Sequence, residues 1–240
     1  MGEVIVVASG KGGVGKSTFA VNGAAMLAQQ GSRVVLIDMN MGLRNLDLYM
    51  GMENNVVYDV ADVLAGMCGI RKAMIRDKRF SGLYLICAAQ YKNTELLTET
   101  HMEVLCKKLA ESYDYIIIDA PAGIDKSLRL AAAGADKAVV VTVPEYAALR
   151  DADMTDRTLE QMGIEKRVCC LNKVKAKLFG TGWMPTLSQI IQMLRMDLIG
   201  MIPYDDNFQV ASNLGLPIVC KEGTYIYNNF SEMMKRLKEL

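Results

Sequence analysis

The chain has 240 residues, 51% of them hydrophobic, which is enough apolar surface for the core of one α/β domain spanning residues 1–240. Its 27 basic and 27 acidic side chains cancel, so no global field attracts nucleic acid. No apolar run approaches the roughly 18 residues of a membrane-spanning helix. The six cysteines include no C-x-x-C pair, which argues against a zinc or redox site, and we expect buried, reduced thiols in a cytoplasmic protein.

Short β-branched runs alternate with longer helical patterns along the chain. The apolar runs are nearly continuous, as in strands buried on both faces. The alternation predicts an α/β fold with a doubly wound, mostly parallel sheet and helices on both faces. Helices are predicted at 17–30, 95–113 and 147–162, with Gly31 and Gly163 as left-handed C-caps. The predicted strands are 4–7, 33–37, 83–87, 115–118, 138–143, 167–171 and 198–202.

A phosphate-binding loop follows the first predicted strand and opens the first predicted helix. The pattern G-x-x-x-x-G-K-[ST] occurs there once, as Gly10-Lys11-Gly12-Gly13-Val14-Gly15-Lys16-Ser17. The glycines let successive backbone N–H groups face phosphate oxygens, and the helix N-terminus adds a favourable dipole. We expect Lys16 to neutralise the β- and γ-phosphates, Ser17 to ligate Mg²⁺, and Thr18 to complete the nucleotide-binding segment.

Lys11 is a second lysine in a loop that needs only one. A solvated surface lysine is one interpretation. The sequence K-G-G-V-G-K is also the signature of the deviant Walker A ATPases, which this chain resembles. The resemblance implies that Lys11 crosses a dimer interface and contacts the partner's nucleotide, as an arginine finger supplied in trans. It therefore implies a homodimer that forms on ATP binding.

Two carboxylates end predicted strands in agreement with the same family. Asp38 ends the second strand, and Asp119 follows Ile116-Ile117-Ile118 where a Walker B aspartate holds the magnesium shell. Ligands of doubly wound sheets bind beyond the carboxyl ends of the strands. We therefore expect Asp38, Asp119 and the loop to converge, with Asp119 at the metal and Asp38 acting through water.

The segment Asn172-Lys173-Val174-Lys175 begins like N-K-x-D, the base-reading motif of GTPases. The aspartate of that motif accepts hydrogen bonds from guanine, whereas Lys175 can only donate. Asn172 can still bond an adenine edge, so ATP is the favoured nucleotide. The family resemblance places Asn172 and Pro203 at the base pocket.

The run G-L-R-N-L-D-L-Y-M-G at residues 42–51 is similar to the MinD branch of the family, the septum-positioning ATPases of bacteria. The resemblance extends from residue 1 to about residue 238. It implies a sandwich dimer that regulates septum placement, located in the cytoplasm or at the inner face of the cell membrane. The implied partners are a division inhibitor and a factor that stimulates hydrolysis.

Two features depart from this family. MinD proteins usually read D-x-D where this chain has Asp38-Met39-Asn40, and Asn40 can hydrogen-bond the attacking water but cannot accept its proton. We therefore expect slow hydrolysis with normal ATP binding. The family's basic amphipathic tail is not evident in the final segment. An apolar stripe there predicts a helix packed on its own domain, with an interfacial membrane helix as the alternative: Ile226, Phe230, Met233, Leu237 and Leu240.

Other functions of the same superfamily stay open at this point. A flagellar-number regulator has a MinD-like sequence. A ParA-type DNA-partition ATPase would need a basic face, which the zero net charge does not indicate, so nucleic acid is not an expected partner. A metal-cluster carrier would need paired cysteines.

Overall fold

Eight strands and ten α-helices make up the fold in the computed structural model, which describes residues 1–90, 97–179 and 181–240. The strands are β1 (Glu3–Ser9), β2 (Val34–Asp38), β3 (Met74–Arg76), β4 (Leu83–Ile86), β5 (Tyr115–Ala122), β6 (Lys137–Thr142), β7 (Lys166–Val174) and β8 (Asp197–Pro203). The helices are α1 (Lys16–Gln29), α2 (Leu46–Tyr49), α3 (Val60–Leu64), α4 (Ile70–Ala73), α5 (Glu99–Ala110), α6 (Lys126–Ala132), α7 (Tyr146–Gln161), α8 (Leu187–Met193), α9 (Asn207–Asn213) and α10 (Tyr225–Glu239).

The strands of the described residues form a single sheet in the order β3-β4-β2-β5-β1-β6-β7-β8. Neighbouring strands are parallel except for the edge pair β3 and β4, which is antiparallel. This arrangement confirms the predicted doubly wound, mostly parallel sheet. It also brings the carboxyl ends of β1, β2 and β5 together, because these three strands are adjacent and point the same way.

Hydrophobic residues fill both faces of the sheet. Successive residues of β1 alternate between two buried clusters, with Ile5 on the face of α1 and α10 and Val6 on the face of α5, α6 and α7. Phe19 of α1 packs on Phe230 of α10 with ring centroids 6.0 Å apart. Burial on both sides explains why the strands read as continuous apolar runs instead of alternating ones.

The predicted C-terminal stripe packs on its own domain, as expected. Its members Ile226, Phe230, Met233 and Leu237 are buried in α10, while Leu240 remains 38% exposed. None of the helices in the described residues is long and apolar enough to cross a membrane.

Four details of the fold differ from the sequence-based expectation. Strand β3 has only three residues at the sheet edge, too few for a recognisable period. Strand β5 continues past Asp119 to Ala122, and the predicted helix 95–113 begins at Glu99, where Thr98 caps it; residues 95 and 96 lie outside the described residues. Two cysteines are not buried as expected, because Cys220 is exposed and Cys68 only half-buried.

The helix-ending glycines behave as predicted. Gly31 follows α1 with a φ of 87°, and Gly163 follows α7 with a φ of 83°. Both values lie in the left-handed region that lets a chain leave a helix without a Cβ clash.

Candidate nucleotide-binding site

The phosphate loop joins the end of β1 to the start of α1. Gly15 has a φ of 95°, and a Cβ there would lie 2.0 Å from Asn172 Nδ2. A Cβ on Gly10 would lie 2.5 Å from the Asp151 carbonyl oxygen. Contacts this short are not tolerated, so glycine is required at both positions and the loop passes close to β7 and α7.

Two side chains at the end of β7 hold the loop from behind. Asn172 Nδ2 donates to the Val14 carbonyl at 2.8 Å, and Lys173 Nζ donates to the Gly13 carbonyl at 2.7 Å. Lys173 adopts a φ of 53°, a backbone conformation that is uncommon for a residue with a side chain and costs free energy. The surrounding hydrogen bonds compensate for that cost.

The predicted base-pocket residues lie in the cavity, but Asn172 is already engaged by the protein. Asn172, Lys173 and Pro203 all line the large cavity at the carboxyl edge of the sheet. The Asn172 amide oxygen accepts from the Lys173 backbone N–H at 2.8 Å, so both ends of the amide have protein partners. Asn172 therefore stabilises the phosphate loop. The contact between Lys173 and the loop was not predicted from the sequence, although the N-K pair indicated that this segment lies near the nucleotide site.

Asp38 and Asp119 lie opposite each other on β2 and β5, as the strand ends predicted. Both are fully buried. Lys16 Nζ is 2.7 Å from Asp119 Oδ1, and Ser17 Oγ donates to Asp119 Oδ2 at 2.6 Å. Burial raises the pKa of Asp119, and the adjacent Lys16 ammonium opposes that shift.

Asp38 anchors the segment that follows β2. Its Oδ2 accepts from the backbone N–H groups of Asn45 at 3.1 Å and Leu46 at 3.2 Å, at the start of α2. Arg44 then bonds the buried Asp47 at 2.6 Å, which fixes the turn of the G-L-R-N-L-D run. This run therefore wraps the Asp38 carboxylate and brings α2 to the cavity.

Asn40 reaches both carboxylates through its side-chain amide. Its Nδ2 lies 2.9 Å from Asp38 Oδ1 and 2.8 Å from Asp119 Oδ2. Tyr49 of α2 also lines the cavity, and burial, together with the charges of Asp119 and Asp38, raises the pKa of its hydroxyl.

Lys11 lies apart from the other charged groups of the loop. Its Nζ is 2.7 Å from Glu145 Oε2, and the two side chains are 44% and 61% exposed. Glu145 precedes α7, and nothing in the sequence pattern pointed to it. The loop thus carries one buried lysine beside the carboxylates and one lysine on the outer surface.

These groups surround a cavity of about 1480 Å³ at the carboxyl edge of the sheet. Among the predicted site residues, Lys16, Ser17, Thr18, Asn40, Asn172 and Pro203 line it together with Gly12, Gly13 and Gly15. The other predicted site residues do not line the cavity themselves. Most of them lie behind its lining residues: Gly10, Val14, Asp38 and Asp119. Lys11 instead bonds Glu145 on the outer surface.

The donor set suits Mg²⁺ held in part by a nucleotide. Ser17 Oγ and the Asp119 carboxylate meet at 2.6 Å, and both are hard oxygen ligands. In the part of the chain that the structure describes, no group of three or more His, Cys, Asp or Glu side chains could hold a metal by itself. Phosphate oxygens and water would complete an octahedral shell, the usual mode for Mg²⁺ in nucleotide sites.

Comparison with known proteins identifies the family. A family model described as an AAA domain matches residues 2–167. The septum site-determining protein MinD of Bacillus subtilis is 44% identical over 220 residues, covering 91% of this chain and 82% of that protein. These likenesses favour the septum branch over the flagellar and partition alternatives.

Solved structures agree. The MinC:MinD cell division protein complex of Aquifex aeolicus matches with a TM-score of 0.91 and 37% identity, covering 99% of this chain and 96% of that chain. MinD of Pyrococcus horikoshii complexed with Mg-ADP matches with a TM-score of 0.88 and 25% identity, covering 100% and 97%. The chain belongs to the MinD family of septum site-determining P-loop ATPases, which use ATP and Mg²⁺.

Proposed function

We propose that the chain binds MgATP in this cavity, dimerises through the face that carries it, and places the division septum as its relatives do. The observation that carries the proposal is the difference in environment between the two lysines of the phosphate loop. Lys16 is buried against Asp119, whereas Lys11 is on the outer surface and paired with the exposed Glu145. A cation held so loosely is available to a second subunit.

Each residue of the site has a role in this proposal. Lys16 exchanges Asp119 for the β- and γ-phosphates, since a phosphate brings more negative charge within reach of its ammonium. Ser17 and Asp119, the latter no longer paired with Lys16, are the residues that would hold Mg²⁺ directly or through its water shell. The metal would supply positive charge that offsets the charge of the phosphates.

Other groups around the cavity position the phosphates, the base and the attacking water. The backbone N–H groups of the loop hold the phosphates, and Thr18 continues that surface. Asp38 anchors α2 and would contact the metal through a water molecule. The side chains of Asn172 and Pro203 border the base. The amide of Asn40, held between the carboxylates, orients the attacking water through its oxygen.

Exposed apolar side chains support a dimer through this face. They occur on segments that follow the carboxyl ends of strands: Leu43 after β2 is 74% exposed, Ile124 after β5 43%, Tyr146 after β6 56% and Tyr204 after β8 51%. Exposed large apolar side chains that follow the carboxyl ends of several strands are consistent with an interaction surface at this edge of the sheet. A second copy of the chain, bound here, would cover them and bring its Lys11 to the phosphates.

Light scattering with and without a non-hydrolysable ATP analogue tests the proposal. The native chain should change from monomer to dimer with the analogue. Lys11→Ala should bind the analogue and stay monomeric, because the cation that links the two subunits is gone. Lys107→Ala, which removes an exposed lysine from α5, is the matched control and should dimerise normally. A native chain that stays monomeric at saturating analogue contradicts the proposal.

For partners and location, we propose a cytoplasmic protein that docks a division inhibitor of the MinC type and attaches peripherally to the inner membrane face. The Aquifex relative is solved as a complex with MinC. Most of the apolar stripe of α10 is buried in the core, so membrane attachment would use another surface. Sedimentation with anionic lipid vesicles, with and without ATP, tests the attachment: protein that stays in the supernatant in both cases contradicts it.

A further inference from the structure

The side-chain amide of Asn40 lies between the two buried carboxylates of the site. Its Nδ2 is 2.9 Å from Asp38 Oδ1 and 2.8 Å from Asp119 Oδ2. The backbone N–H of Asn40 donates to the same Asp38 oxygen at 2.9 Å. An amide nitrogen carries two hydrogens, so each carboxylate receives one of them.

The charge balance of the site makes this amide important. Asp38 and Asp119 are both fully buried. Within the described residues, the one cationic group in hydrogen-bond contact with the pair is Lys16, which bonds Asp119. Two buried carboxylates with one ammonium leave an excess negative charge, which is costly unless hydrogen bonds compensate for it. The amide supplies such bonds without adding charge.

We propose that Asn40 is a positioning residue that holds Asp38 and Asp119 side by side while no magnesium is bound, so that the cation site is formed in advance. The proposal rests on this cavity being the nucleotide and magnesium site. When Lys16 turns to a phosphate, Asn40 still spans the two carboxylates. The amide thus supplies hydrogen bonds to the same two carboxylates near which a cation would supply charge.

An aspartate at position 40 would reverse this effect. Aspartate has the shape of asparagine but presents an oxygen where the amide presents two hydrogens. The new carboxylate would lie at hydrogen-bond distance from both Asp38 and Asp119, and like charges so close repel each other in buried surroundings. The carboxylates of such a variant would depend on Mg²⁺ to stay in position.

Thermal unfolding of the nucleotide-free protein in EDTA and in millimolar magnesium chloride tests the proposal. The native chain should unfold at nearly the same temperature in both. Asn40→Asp should lose about 3–10 °C in EDTA and regain most of it with magnesium. The magnesium-dependent recovery separates positioning from general damage, since a merely structural loss would be the same in both buffers.

Two variants keep the test sharp if Asn40→Asp does not fold in EDTA. Asn40→Ala removes both hydrogen bonds without adding charge, so it should unfold at a lower temperature than the native chain in EDTA, but should lose less than Asn40→Asp. Asn228→Asp makes the same change at an exposed position of α10, which does not line the cavity, and should resemble the native chain.

The proposal is overturned if Asn40→Ala unfolds like the native chain in both buffers. It is equally overturned if Asn40→Asp is unaffected in EDTA, or if its loss is not recovered with magnesium. Failure of ATP-dependent dimerisation would contradict the proposed function and not this comparison, because no nucleotide is present.

Discussion

Lys11 Nζ and Glu145 Oε2 form an ion pair of 2.7 Å between the phosphate loop and the residue before α7. The pair lies on the surface, where such contacts are worth at most about 1 kcal/mol. Breaking the contact of Lys11 with Glu145 in its own subunit therefore requires little free energy. The contact fixes where the lysine rests without preventing its use elsewhere.

In the Glu145→Gln variant, the concentration of ATP analogue needed for half-maximal dimerisation should change by no more than about fivefold. An exposed ion pair contributes too little free energy for a larger effect. Titration followed by light scattering measures it, with the native chain alongside. A variant that no longer dimerises would show that Glu145 takes part in the dimer contact itself.

Lys16→Ala should reduce the affinity for ATP and for ADP at least a hundredfold. The β- and γ-phosphates lose their nearest fixed cation, and charge-assisted contacts of this kind contribute about 1.5–3 kcal/mol each, more in a buried site. Isothermal titration calorimetry measures both nucleotides. The variant also strips Asp119 of its ion pair, so circular dichroism should be recorded to verify the fold; tight ATP binding by a folded variant would contradict the assignment.

Lys173→Ala should weaken ATP binding about tenfold while leaving the fold intact. Its Nζ holds the Gly13 carbonyl at 2.7 Å, and a loop that is free to move must be ordered again by the nucleotide. Calorimetric titration of ATP measures the loss. Lys177→Ala, four residues further along on an exposed 3₁₀ segment, is the control that should bind normally. Equal affinity in the two variants would show that the contact does not order the loop.

ATP should bind at least tenfold more tightly than GTP. Lys175 stands where a guanine-reading aspartate would accept hydrogen bonds, and its Nζ instead lies 4.6 Å from the centre of the Tyr204 ring. Lys175→Asp should narrow the preference by restoring an acceptor, as competition binding with a fluorescent nucleotide would measure. Similar affinities of the native chain for ATP and GTP would refute the base-pocket interpretation.

Asn40→Asp should raise single-turnover ATP hydrolysis about five- to a hundredfold at saturating Mg²⁺, with ATP affinity unchanged. The added carboxylate can accept a proton from the attacking water, and bound magnesium offsets its repulsion from Asp38 and Asp119. Quenched-flow analysis of a dimeric preparation measures the chemical step. A rate no higher than that of the native chain would mean that Asn40 does not limit hydrolysis.

The sequence by itself determined the fold class, the phosphate loop and the convergence of Asp38 and Asp119. Each of these depends on short-range patterns: apolar runs, glycine spacing, and carboxylates placed at strand ends. Parallel strands bring their carboxyl ends to one edge whatever the details of packing. For that reason local patterns were sufficient to locate the site.

The partners of individual side chains were decided only by the tertiary structure. Lys11 meets Glu145 across 134 positions of sequence, and Lys173 meets Gly13 across 160. Asn40 is two residues from Asp38 in the chain, yet its amide also reaches Asp119 on β5. A hydrogen bond forms where packing brings a donor and a suitable acceptor within about 3 Å of each other. Which acceptor that is depends on how the strands and loops pack, and no local pattern in the sequence records it.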